Sequence, residues 1–116
     1  MPGFNLSERQ ISSDCREISV EGELDLAVAG RLEEAIARFH GEQTLIDLTD
    51  CEFIDSTGIA VIVRAGRERA RDGGGRLVVH SPGDQVLRVL EITGLTGIGL
   101  VFASREEALG EPALQG

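Results

Sequence analysis

A chain of 116 residues has room for one compact domain, burying roughly two thirds of the surface its unfolded form exposes, and no room for a second. Hydrophobic residues at 41% against 27% charged are globular proportions, and four Phe with neither Trp nor Tyr make the core aliphatic. The formal net charge of −9, with every basic residue an Arg, disfavours nucleic acid, which needs a concentrated basic face, and suits a basic or neutral protein partner.

Residues 1–10 place Pro2, Gly3, Phe4 and Leu6 among polar neighbours and read as a ragged edge strand or a loose arm. Cys15, Glu17, Ser19 and Glu21 then alternate with Arg16, Ile18 and Val20, a period of two that predicts a strand ending at Gly22, with Glu23 and Asp25 in the following turn. Val28, Leu32, Ala35, Ile36 and Phe39 make an apolar stripe for a helix over 26–39, started by Asp25, ended by Gly41 and supported by a Glu34–Arg38 pair. A short buried strand at Leu45, Ile46 and Leu48 runs into an acidic loop holding Asp50 and Glu52, which dips inward at Phe53 and Ile54.

Asp55, Ser56 and Thr57 all favour helix starts. The apolar positions Ile59, Val63, Gly66 and Ala70 predict the inner face of the helix that follows, with Arg64, Arg67 and Arg71 outside and Gly73 to Gly75 breaking it. Leu77, Val78 and Val79 predict a further strand. Ser81, Pro82 and Asp84 then supply a cap, a first-turn proline and an acid for a helix that buries Val86, Val89 and Leu90 and ends near Gly94. A last strand at 99–103 and a short acidic helix over 106–109 complete the order, which predicts a partly parallel sheet with helices mainly on one side.

Phe53-Ile54-Asp55-Ser56-Thr57-Gly58-Ile59 resembles the signature of the STAS domain, in particular of the bacterial anti-sigma factor antagonists, and Gly22-Glu23-Leu24-Asp25 resembles that family's second signature. The resemblance covers residues 15–105 and implies an α/β STAS fold: one domain over 1–116, a mixed sheet of four to five strands, and looser ends at 1–10 and 110–116. It implies a phosphoprotein of transcription regulation that works by partner switching. Unphosphorylated, such a protein binds an anti-sigma factor serine kinase and frees a sigma factor; phosphorylation at Ser56, with Thr57 the alternative, switches it off, and a serine phosphatase restores it. The expected contact surface is Asp25, Asp55, Ser56, Thr57, Arg64 and Arg67. Ile59 and Ala60 stand where many relatives have Leu and Gly. A different role for the same fold is a scaffold subunit of a membrane lipid transporter or a stress-sensing complex.

The residues themselves offer little else. His40 and His80 read as structural histidines, no Cys/His cluster has metal spacing, and Gly94, Gly97 and Gly99 lack the order and the preceding strand of a phosphate loop, which disfavours a nucleotide-binding module. Asp47, Asp50, Glu52 and Asp55 read as solvated or capping acids. The expectation is therefore a non-enzyme without metal or cofactor. Ile59 to Val63, the longest apolar run, is far short of a membrane span, and no basic amphipathic stretch suggests membrane attachment. No signal-like segment opens the chain, and Cys15 and Cys51 lie far apart outside any Cys-x-x-Cys arrangement, so a reduced cytoplasmic setting fits, a disulfide between them remaining open.

Overall fold

The computed structural model describes residues 3–39, 43–71 and 75–110; the expectations that rest on His40, Gly41, Gly73, Gly74 and the tail beyond Gly110 lie outside them. Five strands form one sheet in chain order: β1 (Asn5–Ser12), β2 (Cys15–Leu24), β3 (Gln43–Ile54), β4 (Arg76–His80) and β5 (Val101–Phe102). β1 pairs antiparallel with β2, and the later pairings are parallel. Parallel neighbours need a crossover, supplied in turn by α1 (Ala29–Ala37), α2 (Ser56–Arg71) and α3 (Asp84–Ile92), the last followed by a 3-10 turn at Leu95–Ile98. A short α4 (Arg105–Ala108) ends the described chain. The mixed α/β architecture matches the sequence expectation, and from Asn5 onward the N-terminal stretch is an edge strand.

The sheet buries both faces, unequally. Ile18, Val20 and Leu24 of β2 and Ile46, Leu48 and Ile54 of β3 join Leu32, Ile36, Ile59, Ile62, Val86 and Leu90 of the three long helices in the main core. On the other face Cys15, Leu45 and Val78 pack with Ala108 of α4. Both cysteines are free and buried, one in each cluster, and burial pushes both thiols up.

Several boundaries differ from expectation, each for a local reason. β2 runs on to Leu24, so Glu23 is in the strand and Asp25 alone begins the turn. The acidic stretch after Leu48 is the second half of β3: Cys51 and Ile54 are buried anchors that keep it in the sheet, Asp50, Glu52 and Phe53 point outward, and irregular register accommodates the extra residues. Residues 26–28 form a turn, and α1 begins only at Ala29. Arg38 pairs with Glu8 of β1 rather than with Glu34. On α2 the buried residues are Gly58, Ile59, Val61 and Ile62, while Ala70 is exposed, a face rotated from the predicted one. Ser81 does not cap α3. Its φ is +60° and its hydroxyl meets His80 Nδ1 at 2.7 Å, leaving Gly83 as the capping residue.

Candidate functional site

The ends of β2 and β3 lie side by side, Leu24 opposite Ile54, and the Asp55 amide donates to the Leu24 carbonyl at 3.2 Å. Chain exits from two adjacent parallel strands are therefore fixed together. Asp55 is the cap of α2: its Oδ1 accepts from the amides of Thr57 at 2.9 Å and Gly58 at 3.1 Å, and its carbonyl accepts from Ile59 at 3.0 Å. The second oxygen, Oδ2, accepts from the Leu26 amide at 3.1 Å and so ties the turn before α1 to the start of α2. Asp25 builds that turn, its Oδ1 accepting from Ala27 at 3.0 Å and its carbonyl from Val28 and Ala29.

Close approach makes this junction possible. A Cβ on Gly58 would lie 2.8 Å from Leu24 Cγ and 3.0 Å from the Leu24 carbonyl oxygen, so a glycine is needed where α2 crosses the end of β2. Ser56, the first residue of α2, is exposed, and its hydroxyl has no hydrogen-bond partner among the described residues; Thr57 is half-buried. The structure thus gathers Asp25, Asp55, Ser56 and Thr57 at one edge. Arg64 and Arg67 lie farther along α2, where Arg64 pairs with Glu33 of α1 at 2.8 Å and Arg67 is exposed.

Two residues at this edge escaped the sequence reading. Leu26, 74% exposed, and Phe53, 47% exposed, are large apolar side chains turned to solvent on either side of Asp55. The sequence expectation has Leu26 only as the first residue of a helix, outside its apolar stripe, and Phe53 in an inward dip; strict alternation back from the buried Ile54 puts Phe53 outside. Both are exposed on segments tied to the start of α2, Leu26 through its amide to Asp55 and Phe53 two residues before it.

A second polar group sits on the sheet face that α4 covers. Glu17 of β2 is 2% exposed, and its carboxylate accepts two bonds from Arg105 of α4, at 2.8 and 2.9 Å, and one from Arg9 at 3.4 Å, with His80 Nε2 at 2.6 Å. Burial pushes the Glu17 carboxyl up, but the bonds from Arg105 and His80 outweigh it and hold the group below the usual glutamate range. Asp47, also raised by burial, is pulled down further by the hydroxyl and amide of Thr49, with His80 and Arg105 nearby. Glu17, Asp47 and His80 offer ligand atoms within 4.8 Å of one another, the spacing of a metal site, but the Arg105 guanidinium stands there, bidentate on Glu17 and 4.0 Å from Asp47. The charge a cation would supply is already in place. His80 has both ring nitrogens engaged, Nδ1 with Ser81 and Nε2 with Glu17, and nothing in the sequence linked Glu17 to Arg105 across 88 positions.

A protein-family model described as Mlab, STAS domain, matches residues 7–102. An anti-sigma-B factor antagonist of Listeria monocytogenes is 33% identical over 98 residues, which cover 82% of this chain and 85% of that protein. The chain belongs to the STAS family of anti-sigma factor antagonists. The crystal structure of an anti-sigma factor antagonist from Mycobacterium paratuberculosis superposes with a TM-score of 0.80 at 24% identity, over 93% of this chain and 92% of that one. The Bacillus cell fate determinant SpoIIAA in its phosphorylated form gives 0.67 at 21% identity, over 93% and 97%. At those identities the likeness is one of STAS fold. Among the described residues no helix is long and apolar enough to cross a membrane.

Proposed function

We propose that this STAS domain, unphosphorylated, binds an anti-sigma factor with serine kinase activity and so frees a sigma factor, and that phosphorylation of Ser56 ends the contact. The observation that carries this reading is the Ser56 hydroxyl, exposed and unengaged at the first position of α2 beside a carboxylate whose two oxygens are both occupied by amides. The kinase brings ATP; the γ-phosphoryl passes to Ser56 Oγ, which gives up its proton, and ADP leaves. The product adds roughly −1.5 to −2 charges at neutral pH directly beside Asp55, with Asp25 near. A partner packed there would have to desolvate that charge, and its affinity falls. A serine phosphatase returns the hydroxyl by hydrolysis.

The contact surface is Asp25, Asp55, Ser56 and Thr57 with Arg64 and Arg67, and to these we add Leu26 and Phe53. Thr57 is the poorer acceptor because it is half-buried and its amide is tied to Asp55. The protein acts in the cytoplasm as a single domain and catalyses nothing itself; the charges of Glu17 and Asp47 are met by Arg105, His80 bonds to Glu17, and the cluster serves the fold. The test is capture of the unmodified protein with its partners from its own cell extract, then incubation of the captured kinase with ATP. Recovery of a serine kinase that labels Ser56 and then lets go supports the reading; recovery of membrane-transporter subunits, or a label on Thr57, overturns it.

A further inference from the structure

Ser81 stands where β4 ends and the chain turns towards α3. Among the described residues it alone outside glycine has a positive φ, +60°, a conformation with a steric cost for any residue that carries a Cβ. A strained turn between a parallel strand and a helix is where several serine hydrolases hold their nucleophile. The turn brings the Ser81 hydroxyl onto the ring of its own neighbour, Oγ lying 2.7 Å from His80 Nδ1. On the other side of that ring His80 Nε2 lies 2.6 Å from Glu17 Oε2, and Arg105 holds Glu17 by two further bonds. A charged carboxylate can only accept, so the ring proton is on Nε2 and Nδ1 presents a lone pair to the Ser81 hydroxyl. Hydroxyl, imidazole and carboxylate thus form an unbroken relay. His80 and Glu17 are buried, Ser81 is half-buried and Gly83 exposed, so the serine is the end of the relay that a reagent can reach.

We propose that Ser81 is a covalent acceptor for an activated acyl group, with His80 as its general base and Glu17 as the residue that positions that base. Ser81 Oγ attacks the acyl carbonyl; the Oγ–C bond forms, the bond to the leaving group breaks and the leaving group departs with the electron pair, while the hydroxyl proton passes to His80 Nδ1 and from there to solvent. The imidazolium formed on the way lies between Glu17 at 2.6 Å and Asp47 at 3.9 Å, so its charge is met on both sides. The reaction stops at the ester. A catalytic serine commonly has its oxyanion held by its own amide or by the next one, but here the Ser81 amide donates to the Phe102 carbonyl at 3.0 Å and the next residue is Pro82, which has no N–H. Only a donor with a good leaving group reacts without that support, and the alkyl ester it leaves has none, so the site takes one acyl group per chain and turns nothing over. β3 runs on from Asp47, the register partner of His80, to Ile54, so roughly 20 Å of strand separates Ser81 from the Ser56 edge and the two serines are independent sites.

The probe is p-nitrophenyl acetate. The chain has no Lys and no Tyr, so few side chains compete for the acetyl group. Unaltered protein and the Ser81→Ala, His80→Gln and Glu17→Gln variants are mixed with the probe near neutral pH. Release of p-nitrophenolate is followed, the acetylated residues are located by fragment-ion mass spectrometry, and the urea midpoint of each variant is measured alongside. In the unaltered protein a single equivalent should be released, with Ser81 acetylated about 100-fold faster than the exposed Ser56, the low end of what a positioned base contributes. Ser81→Ala should lose this phase, and His80→Gln should bring Ser81 down to the rate of Ser56. Glu17→Gln removes the charge that supports the imidazolium and should slow Ser81 by about tenfold or more with Ser56 unchanged, a separation that a merely structural role for Glu17 does not produce. Where a variant does not fold, the ratio of Ser81 to Ser56 in the unaltered protein decides. Equal rates for the two serines there, a Ser81 that stays fast in folded His80→Gln, or release that continues past one equivalent only while Ser81 is present, each overturns the inference.

Discussion

Asp55 Oδ2 lies 3.1 Å from the Leu26 amide, so a single carboxylate joins the turn that presents an exposed leucine to the helix that presents an exposed serine. The same group caps α2 through its other oxygen. Asp55→Ala should therefore cost about 1–2 kcal/mol in urea unfolding, the upper part of the range for a lost helix cap, with Asp55→Asn recovering the cap but not the tie to Leu26, because its amide nitrogen cannot accept from the Leu26 N–H. A loss under a few tenths would mean that neither tie matters to the fold.

At Ser56 stability and binding should separate. A negative charge at the first position of a helix is favoured by its dipole, so Ser56→Asp should leave the urea midpoint unchanged or slightly raised. Ser56→Ala should keep kinase affinity while Ser56→Asp weakens it, the difference shrinking in high salt. Equal affinities for the two variants would remove the electrostatic account.

Leu26 and Phe53 give a prediction of the opposite kind. Leu26→Ser and Phe53→Ser should each lower kinase affinity by about tenfold or more, as the truncation of an interface anchor does, with stability changed by no more than about 0.5 kcal/mol for Leu26→Ser. Titration calorimetry beside urea unfolding distinguishes this from a general loss of structure.

Gly58→Ala would be mildly stabilising in an open helix, by about 1 kcal/mol. Here the new Cβ meets the branch carbon and carbonyl of Leu24 at 2.8 and 3.0 Å, and the backbone oxygen cannot step aside. The variant should lose about 1–3 kcal/mol, the cost of overpacking, and label more slowly at Ser56 because α2 must lift from β2.

The Glu17 cluster sets a pH dependence. Its carboxyl is held below the ordinary value of 4.5, so its stabilisation is complete above that pH and is lost as the pH falls through the lower folded value. Glu17→Gln should flatten this acid limb in stability measured from pH 6 downward. Arg105→Ala should cost about 2–3 kcal/mol at neutral pH, less than a fully buried pair because the guanidinium is part-exposed and because His80 and Arg9 remain on Glu17.

The order of elements and the serine's place at a helix start could be read from the chain because they depend on local patterns: the period of two before Gly22, the apolar run at Leu45, the cap residues before Gly58. The second half of β3 could not. Asp50 and Glu52 look like loop residues until β2 lies beside them, and only the tertiary burial of Cys51 and Ile54 makes the segment a strand. Phe53 belongs to the same case, since an apolar residue beside Ile54 looks buried until the strand fixes its alternation, and Leu26 differs in its element, a turn where the pattern gave the first residue of a helix. The partnership of Glu17 with Arg105 and His80 is set by topology alone.

That partnership has a consequence for the growing chain. The strands pair in the order in which they are made, so β2 and β3 can associate, and the edge bearing Asp25, Asp55 and Ser56 can form, while the last third is still being synthesised. Glu17 then already stands on a strand between β1 and β3, with its principal counter-charge not yet made. Arg105 follows all five strands, and α4 both brings a guanidinium to the carboxylate and packs Ala108 with Cys15, Leu45 and Val78. A chain cut off just ahead of Arg105 would hold every residue of the serine edge and still be left with a carboxylate facing an open, oily sheet.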